Sequence, residues 1–405
     1  MKRLIHYILL LATMSLVLSS CENDDTDMDD IIALYQVEPA DVELDFSDLD
    51  EEADVPVTEE NDSAYNDYVE NSNWNKIIYI EFAGDDVSIT GTVSGVTVQT
   101  DGAHVTVMNV SGPVKYVVSG ETDDGSLKFY GDKRFQLLLD GASIRNPAGA
   151  AINNQGSKSM YVVLGAGTVN VLQDGADYTM EDGEDQKAAL FSEGQIIFSG
   201  SGQLEVIAQG RGAIRSDDYI RLRPGVKLSI QSSALDGLRA NDGIIIDGGV
   251  INVATSGAGA KGVRSGGPLQ VNGGRLTVIN QGDTRIGTSE AGDPDTTACA
   301  ALYCDTIMTM TAGTVKLKAT GDGGKGINSK HDVVITGGAL TAVATGTRLQ
   351  KKPKGVKIEG SFTISGGSFY TYSRRSDPLD VTGNTVLSPG YKNYQLTPVI
   401  MTIEY

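Results

Sequence analysis

The sequence predicts an all-β fold, a right-handed single-stranded parallel β-helix (a solenoid) with rungs of about 24 residues. Three observations lead to it: a short segment recurs, its apolar residues alternate with polar ones in bursts, and glycine pairs separate the bursts. Ala213, Gly237 and Gly262 begin successive copies 24 and 25 residues apart. Alternation is the periodicity of strands, and no single copy could bury its apolar face alone, so the copies must stack.

Further copies begin at Gly326 and Gly355, and looser ones begin near Ala151 and Ala189. Each copy holds about three short strands separated by turns. Two long intervals, 179–187 and 284–297, contain polar insertions that we expect to form loops.

Stacking predicts which side chains become neighbours, because paired strands lie about 4.8 Å apart and equal positions form columns. Leu238, Val263 and Ile327 should line one interior column. A second interior column should hold only small residues: Ser216, Ala240, Ser265, Cys304 and Ser329. Cys304 is therefore expected to be a core thiol, and a disulfide to Cys299 in the preceding turn would need awkward geometry.

The first twenty residues predict a lipoprotein signal peptide (1–20). Lys2 and Arg3 precede an apolar run, and small residues precede Cys21. This pattern resembles the lipobox of bacterial lipoproteins, which implies that acyl chains on Cys21 anchor the mature protein to a membrane without crossing it.

An acidic segment follows the cysteine. The chain has a net charge of −21, yet twenty of its 53 acidic residues and none of its basic ones lie within 22–70. Such a composition predicts a disordered, extended tether over 21–73, leaving 74–405 as the β-helix domain. The motif Glu22-Asn23-Asp24-Asp25 resembles a surface-export signal of some Gram-negative bacteria, which implies an outer-membrane, cell-surface location.

Several motifs of the β-helix domain match a known family. Asp140-Gly141-Ala142-Ser143-Ile144, the strand at 116–120, and the rung openings at Asp236, Lys325 and Lys354 carry the likeness. The region 74–372 resembles the carbohydrate-binding β-helix family, of the cellulose- and polygalacturonate-binding type, whose fold is similar to that of pectate lyases. The resemblance implies binding of plant cell-wall polysaccharides, acidic ones included, and bound calcium.

Arg215, Arg239 and Arg264 occupy the outward position between the two interior columns on three consecutive rungs. Guanidinium groups one strand spacing apart repel by about 1 kcal/mol per pair when fully hydrated, so something must compensate. One possibility is a ladder of salt bridges to Asp217 and Asp242. The other is a basic strip for the carboxylates of an acidic polysaccharide, since arginine binds carboxylate with two hydrogen bonds.

Other side chains are candidates for ligand or metal binding. Tyr303 shares the outward position and could stack on a sugar ring or pack beside its neighbours. Lys325, at a rung opening, is a further candidate for ligand binding. Calcium could be held by a set of carboxylates, or these could be solvated turn residues; they are Asp217, Asp218, Asp236 and Asp242.

Other chemistries are not supported. The segments 257–262 and 321–326 fit G-x-G-x-x-G, but both lead into predicted strands, whereas a nucleotide loop leads into a helix. His104 and His331 are far apart in rung order and give no Ser-His-Asp or histidine metal site. Outside the tether and signal the chain has 33 acidic and 30 basic residues. We expect no nucleic-acid partner, and we expect a monomer.

The sequence thus predicts a non-catalytic, carbohydrate-binding surface lipoprotein that recognises an acidic, uronate-containing polysaccharide. A calcium-dependent polysaccharide lyase is the first alternative, in which Asp236 or Asp242 would bind the metal and Arg239 or Arg264 would act as the base. A structural adhesin that contacts proteins or cells is the second.

Overall fold

The computed structural model describes residues 39–288, 292, 294–388, 392–397 and 400–404. They form a parallel β-solenoid of about 11 turns with rungs of roughly 25 residues, as the repeat predicts. Two single-turn 3-10 helices lie at Tyr65–Asp67 and Val69–Asn71. Within the described part of the chain, no helix has the length and apolar character needed to cross a membrane. The predicted signal peptide (1–20) and Cys21 lie outside the described residues.

One face of the solenoid is a sheet of twelve strands among the described residues. Its strands are β3 (Val96–Asp101), β4 (Ala103–Asn109), β6 (Gly125–Tyr130), β8 (Ile152–Asn154), β11 (Ala188–Ser192), β14 (Gly212–Ser216), β17 (Leu238–Ala240), β20 (Lys261–Ser265), β25 (Ala300–Cys304), β28 (Lys325–Ser329), β30 (Lys354–Ile358) and β32 (Leu379–Val381).

The remaining faces belong to one long sheet, because β5, β7, β29 and β31 are long enough to continue across a corner. Its strands are β1 (Ile77–Ala83), β2 (Asp86–Thr90), β5 (Val114–Thr122), β7 (Phe135–Arg145), β9 (Met160–Leu164), β10 (Val169–Gln173), β12 (Ile196–Gly200), β13 (Gln203–Ala208), β15 (Tyr219–Leu222), β16 (Lys227–Ser232), β18 (Gly243–Ile246), β19 (Val250–Thr255), β21 (Leu269–Val271), β22 (Arg275–Asn280), β26 (Met308–Met310), β27 (Thr314–Ala319), β29 (Val333–Ala344), β31 (Phe362–Ser373), β33 (Thr385–Leu387), β34 (Lys392–Thr397) and β35 (Ile400–Glu404).

The predicted interior columns are confirmed by the strand register. Leu238 pairs with Val263, which continues through Leu302 to Ile327, and all four are at most 1% exposed. The alternation of the sequence therefore places one side of these strands in a continuous apolar core, where burial is the main favourable contribution to folding.

The column of small residues is also confirmed, running from Ser216 to Ser329 through Cys304. Its buried hydroxyls are satisfied by turn carbonyls: Ser216 donates to Gly194 at 2.9 Å and Ser329 donates to His331 at 2.9 Å. A small polar residue is tolerated in the interior because it makes these bonds. Cys299 and Cys304 are both buried free thiols.

The glycine pairs form the turns that the sequence predicts. Gly274, the second of its pair, has φ +71°, and a Cβ built there would lie 2.5 Å from the backbone of Gly248 on the preceding turn. Only glycine permits both the left-handed backbone and this close stacking of successive turns.

The first and last described strands depart from the parallel pattern. β1 pairs antiparallel with β2, and β3 with β4. At the other end β35 pairs antiparallel with both β31 and β34. The insertion at 284–297, expected to be a loop, contains a two-stranded hairpin of β23 (Arg285–Thr288) and β24 (Pro294–Thr297).

Residues 39–73, which the sequence analysis assigned to the tether, pack on the long sheet in the structure. Val42 is 1% exposed, and the Arg223 side chain, also 1% exposed, lies between the carboxylates of Asp54 and Glu70. Sequence composition indicated self-repulsion within the segment, but it did not reveal the cations that the solenoid places beneath it. The rest of the predicted tether, 21–38, lies outside the described residues.

Candidate functional site

The outward column of the twelve-stranded sheet carries the predicted arginines. Successive strands pair in register so that the column reads Arg215, Arg239, Arg264, Tyr303, Asn328 and Lys357. We call these six residues the basic strip. The structure thus brings four of the predicted ligand-binding residues into one line along the solenoid axis.

Arg215, at one end of the strip, is neutralised. Its Nε and Nη2 donate to Asp217 Oδ1 at 3.1 and 3.0 Å. Asp217 also accepts from Lys187 Nζ at 2.5 Å and from Asn241 Nδ2 at 3.0 Å. Burial opposes ionisation of Asp217, but Lys187 and Arg215 outweigh it and lower its pKa. The salt-bridge alternative therefore holds at this rung.

The next two arginines are poorly neutralised. Arg239 and Arg264 share one carboxylate, that of Asp236, at 3.6 and 3.7 Å, and their side chains are 28% and 31% exposed. Burial first, and then the charges of Arg264 and Arg215, lower the pKa of Arg239. The middle of the strip thus carries an excess of positive charge.

Beside Arg264 the strip opens into a pocket of about 260 Å³, which we call the lysine pocket. The inserted hairpin and the residue after it supply Thr296, Thr297 and Ala298 to its wall. None of the described residues that line it is acidic, and six are basic: Lys261, Arg264, Lys325, Lys330, Lys351 and Lys357.

Two of these lysines are nearly buried. Lys261 is 4% exposed and Lys325 is 5% exposed, and each ammonium donates to a backbone carbonyl, that of Gly259 or of Gly323. Burial lowers the pKa of both lysines to about 8, and neighbouring cations contribute to the shift. A buried ammonium without a carboxylate partner is costly, and an anion in the pocket would relieve that cost.

Tyr303 forms the floor between the strip and the pocket. Its ring centroid lies 5.3 Å from the guanidinium carbon of Arg264 and 5.7 Å from Lys261 Nζ, and its hydroxyl donates to Asp305 at 2.6 Å. The neighbouring Asn328 has a buried Oδ1 without a hydrogen-bond partner among the described residues. This side of the pocket therefore combines an aromatic ring with an unused acceptor.

The far side of the pocket is partly neutralised. Glu359 accepts from Lys330 at 2.7 Å and from Lys357 at 2.9 Å. These two cations lower the pKa of Glu359 through hydrogen bonds. The uncompensated charge is thereby concentrated on the side of Lys261 and Lys325.

The four carboxylates predicted to hold calcium do not converge on one point. Asp217 is occupied by Arg215 and Lys187, as described above, and Asp218 accepts from Gln195 Nε2. Asp236 accepts from the backbone N–H of Lys261 at 2.8 Å and faces two arginines. These residues do not fit a shared cation.

Within the described part of the chain, carboxylate oxygens close enough to share a metal occur at Asp185, Glu193 and Asp217. The ammonium of Lys187 contacts both Asp185 and Asp217. This cluster is therefore already paired with a cation of the chain itself.

A second pocket, of about 730 Å³, lies over the same sheet near its first turns. Lys128 and Asn153, paired neighbours on the outward column, both line it. Lys128 forms ion pairs with Glu181 at 2.8 Å and Glu184 at 2.9 Å, and Asp101 also lines this pocket, so its carboxylates outnumber its lysine. The lysine pocket is therefore the more cationic of these two pockets on the twelve-stranded sheet.

Sequence reasoning identified the strip and Lys325 but missed Lys261, Lys330 and Lys351 as pocket residues. A lysine recurs at the rung openings, and four of the seven residues in 351–357 are lysine. These signals could have indicated a basic site. The insertion at 284–297 gave no sign that it supplies one wall.

Comparisons with known proteins identify a family and two similar proteins. A family model described as "Carbohydrate-binding domain-containing protein" matches residues 101–292 and 258–395. A carbohydrate-binding domain-containing protein of Acetivibrio thermocellus is 30% identical over 122 residues, 29% of this chain and 43% of that protein. The chain thus matches less than half the length of that relative.

The solved structure of a polysaccharide lyase-like protein from C. thermocellum, a gadolinium derivative, is 20% identical to this chain. The two align with a TM-score of 0.45, over 77% of this chain and 97% of that one.

Proposed function

The chain belongs to the family of carbohydrate-binding domain-containing proteins, and from this premise we propose that it binds an acidic polysaccharide without catalysing a reaction on it. One observation carries the choice of an acidic ligand. Among the described residues, the buried ammonium groups of Lys261 and Lys325 donate hydrogen bonds to backbone carbonyls and form no salt bridge, and they lie beside the under-neutralised Arg264.

The shape of the site suits a linear polymer. The basic strip runs along the solenoid axis, so a chain lying on it meets Arg239 and Arg264 in succession and then the lysine pocket. Guanidinium groups can bind carboxylates with two hydrogen bonds, and partly buried ammonium groups attract anions more strongly than hydrated ones do. A neutral feature at the same place, the ring of Tyr303, suits a sugar face.

The binding proposal is tested by affinity electrophoresis of the purified protein in native gels. We expect polygalacturonate in the gel to retard migration, and a neutral glucan at the same concentration to retard it far less. Equal migration in all gels would overturn the proposal and favour a structural adhesin. Isothermal titration with oligogalacturonides of increasing length would then give the number of sugars bound.

Lyase activity is the alternative, favoured by the proximity of Asp236 to Arg239 and Arg264. Against it, the four carboxylates predicted to hold calcium do not converge in the described part of the chain, so they build no shared metal site there that could polarise a uronate. Incubation with pectin and calcium, followed by absorbance of unsaturated products, separates the two functions. Sustained product formation would replace the binding proposal with an enzymatic one.

We also propose that the protein is a cell-surface lipoprotein of the outer membrane, anchored through Cys21. The motif at the start of the sequence supports this proposal. Metabolic labelling with a palmitate analogue should label the wild-type protein and leave Cys21→Ser unlabelled. Digestion of intact cells with an added protease should then remove the β-helix domain. Survival of that domain would place it inside the cell envelope.

A further inference from the structure

The acidic segment 39–73, which we call the acidic strap, lies along the long sheet of the solenoid. It contains thirteen acidic residues and no basic ones. Near its start, the backbone N–H of Ala40 donates to the hydroxyl of Tyr370 on β31 at 3.1 Å. Just past its end, the ring of Trp74 packs 5.6 Å from that of Tyr161 on β9. The strap therefore crosses most of the turns in the axial direction.

Four cations lie beneath the strap, three on one turn and Arg275 two turns further on, and each is met by a strap carboxylate. Arg221 also pairs with Asp247 of the solenoid at 2.6 Å. We call Arg221, Arg223, Lys227 and Arg275 the cationic track. The pairs and their N–O distances are Arg275–Asp45 (3.2 Å), Lys227–Asp48 (2.5 Å), Arg223–Asp54 (2.7 Å), Arg223–Glu70 (2.8 Å) and Arg221–Asp67 (2.9 Å).

Backbone N–H groups of the solenoid also donate hydrogen bonds to a carboxylate of the strap. The carboxylate of Glu51 accepts from the N–H of Gly225 at 2.6 Å and from the N–H of Gly249 on the next turn. Carboxylates spaced along an extended chain thus meet donors spaced along the solenoid. This is the arrangement with which the face would hold any linear polyanion.

The middle of the strap is held chiefly by charge. Buried apolar strap residues lie near its two ends, at Val42 (1% exposed) and at Tyr68 and Val69 (8% each). Between them Phe46 and Val55 are 66% and 74% exposed. The exposed pair of Lys227 and Asp48, 35% and 86% exposed, is weakened by salt and by competing ions, so this part of the strap can exchange its partner more easily than the ends can.

We propose that the cationic track is a second binding surface, for a linear polyuronate, and that the acidic strap is its built-in occupant. The strap occupies the track at the high effective concentration of an intramolecular ligand, so a polymer must bind at several positions to displace it. This surface lies on the long sheet, whereas the basic strip lies on the twelve-stranded sheet, so the proposal does not rest on the proposed function of the strip.

The test uses the full chain with the basic strip and the lysine pocket weakened by Arg239→Gln, Arg264→Gln and Lys325→Gln, which we call the strip-silenced protein. In this background a strap variant removes four paired carboxylates: Asp45→Asn, Asp48→Asn, Asp54→Asn and Glu70→Gln. A matched control removes four exposed carboxylates for which no ion pair is present among the described residues: Glu43→Gln, Asp50→Asn, Glu52→Gln and Glu60→Gln.

We expect the strap variant to bind polygalacturonate at least tenfold more tightly than the control, and added Lys227→Gln and Arg275→Gln to abolish that gain. Equal affinity of the two variants would overturn the proposal and leave the strap a structural element.

If the strap variant does not fold, the proposal is tested by cleavage of the strip-silenced protein with a Glu-specific protease. Polygalacturonate should accelerate cleavage within 39–73 relative to a neutral glucan, and unchanged cleavage would also overturn the proposal.

Because the strip is silenced throughout, these results are independent of the wild-type binding experiment. If polygalacturonate in the gel does not retard the wild-type protein, the proposed function is contradicted. If the strap variant binds polygalacturonate no more tightly than the control, only the proposal of the cationic track is contradicted.

Discussion

Arg264 and Tyr303 occupy the same outward position on successive turns, and the guanidinium carbon lies 5.3 Å from the centroid of the tyrosine ring. The pair marks the point where the arginines of the strip give way to the lysine pocket. A cation held over the ring keeps its charge available on its other side, because the ring supplies attraction without neutralising the charge.

The double variant Arg239→Gln/Arg264→Gln should bind polygalacturonate at least tenfold more weakly than wild type. Both residues share the single carboxylate of Asp236, so little of their charge is used within the protein. The control Lys133→Gln/Lys158→Gln removes two exposed charges from an early turn and should bind within twofold of wild type. Isothermal titration checks both. An equal loss in the two variants would show that net charge, and not the strip, governs affinity.

Affinity should fall as pH rises through about 8, where Lys261 and Lys325 lose their protons. Their pKa values lie below the usual 10.5 because burial disfavours the charged form. Titrations of polygalacturonate binding at pH 6.5 and 9.5 measure the effect. The variant Lys261→Gln/Lys325→Gln should bind weakly at both values with a flatter profile. If the affinity of the wild-type protein changes with pH as little as that of the variant, Lys261 and Lys325 are not the groups whose titration controls binding.

The same two lysines should affect stability with the opposite sign. Between about pH 8 and 10.5 the unfolded chain holds these protons while the folded chain has released them, so their contribution to the free energy of unfolding rises with pH. Denaturant titrations at pH 8 and 10 check this. The difference in unfolding free energy between wild type and Lys261→Gln/Lys325→Gln should move in favour of wild type at the higher pH. A shift toward the variant would contradict the lowered pKa values.

The repeat made the core predictable in detail. Once the frame of Gly237 and Gly262 was known, the interior position of Leu238 and the outward position of Arg239 followed from alternation alone. In a solenoid, residues that lie one repeat apart in the sequence become neighbours on successive turns. The predicted strip is confirmed as an alignment for this reason.

Contacts between distant segments could not be predicted in this way. Arg223 and Glu70 are 153 residues apart, and nothing periodic links the acidic strap to the solenoid. The same holds for Thr297, whose hairpin reaches the lysine pocket from an insertion outside the repeat. Asp217, one of the aspartates predicted to bind calcium, is paired with Lys187 from another turn. These outcomes depend on tertiary pairing, which composition does not encode.

Leu238→Ala should destabilise the solenoid by about 2–5 kcal/mol, because it removes a fully buried side chain between Ile214 and Val263 and leaves a cavity. Thermal unfolding followed by circular dichroism, with a denaturant titration, measures the loss. Arg239→Ala, one residue away but on the outer face, should cost far less stability and should instead weaken polyuronate binding. Similar losses of stability in the two variants would contradict the inward and outward assignment.

Removal of calcium should leave polyuronate binding within twofold of its original affinity. Asp217 is engaged by Arg215 and Lys187, and Asp236 faces Arg239 and Arg264, so neither is free to complete a cation site. Titrations with chelator, and after adding back calcium or magnesium, make the measurement. Short oligogalacturonides should be used, because calcium cross-links the long polymer itself. A loss on chelation that calcium restores and magnesium does not would contradict this prediction, and it would require the aspartates to release their cationic partners on binding metal.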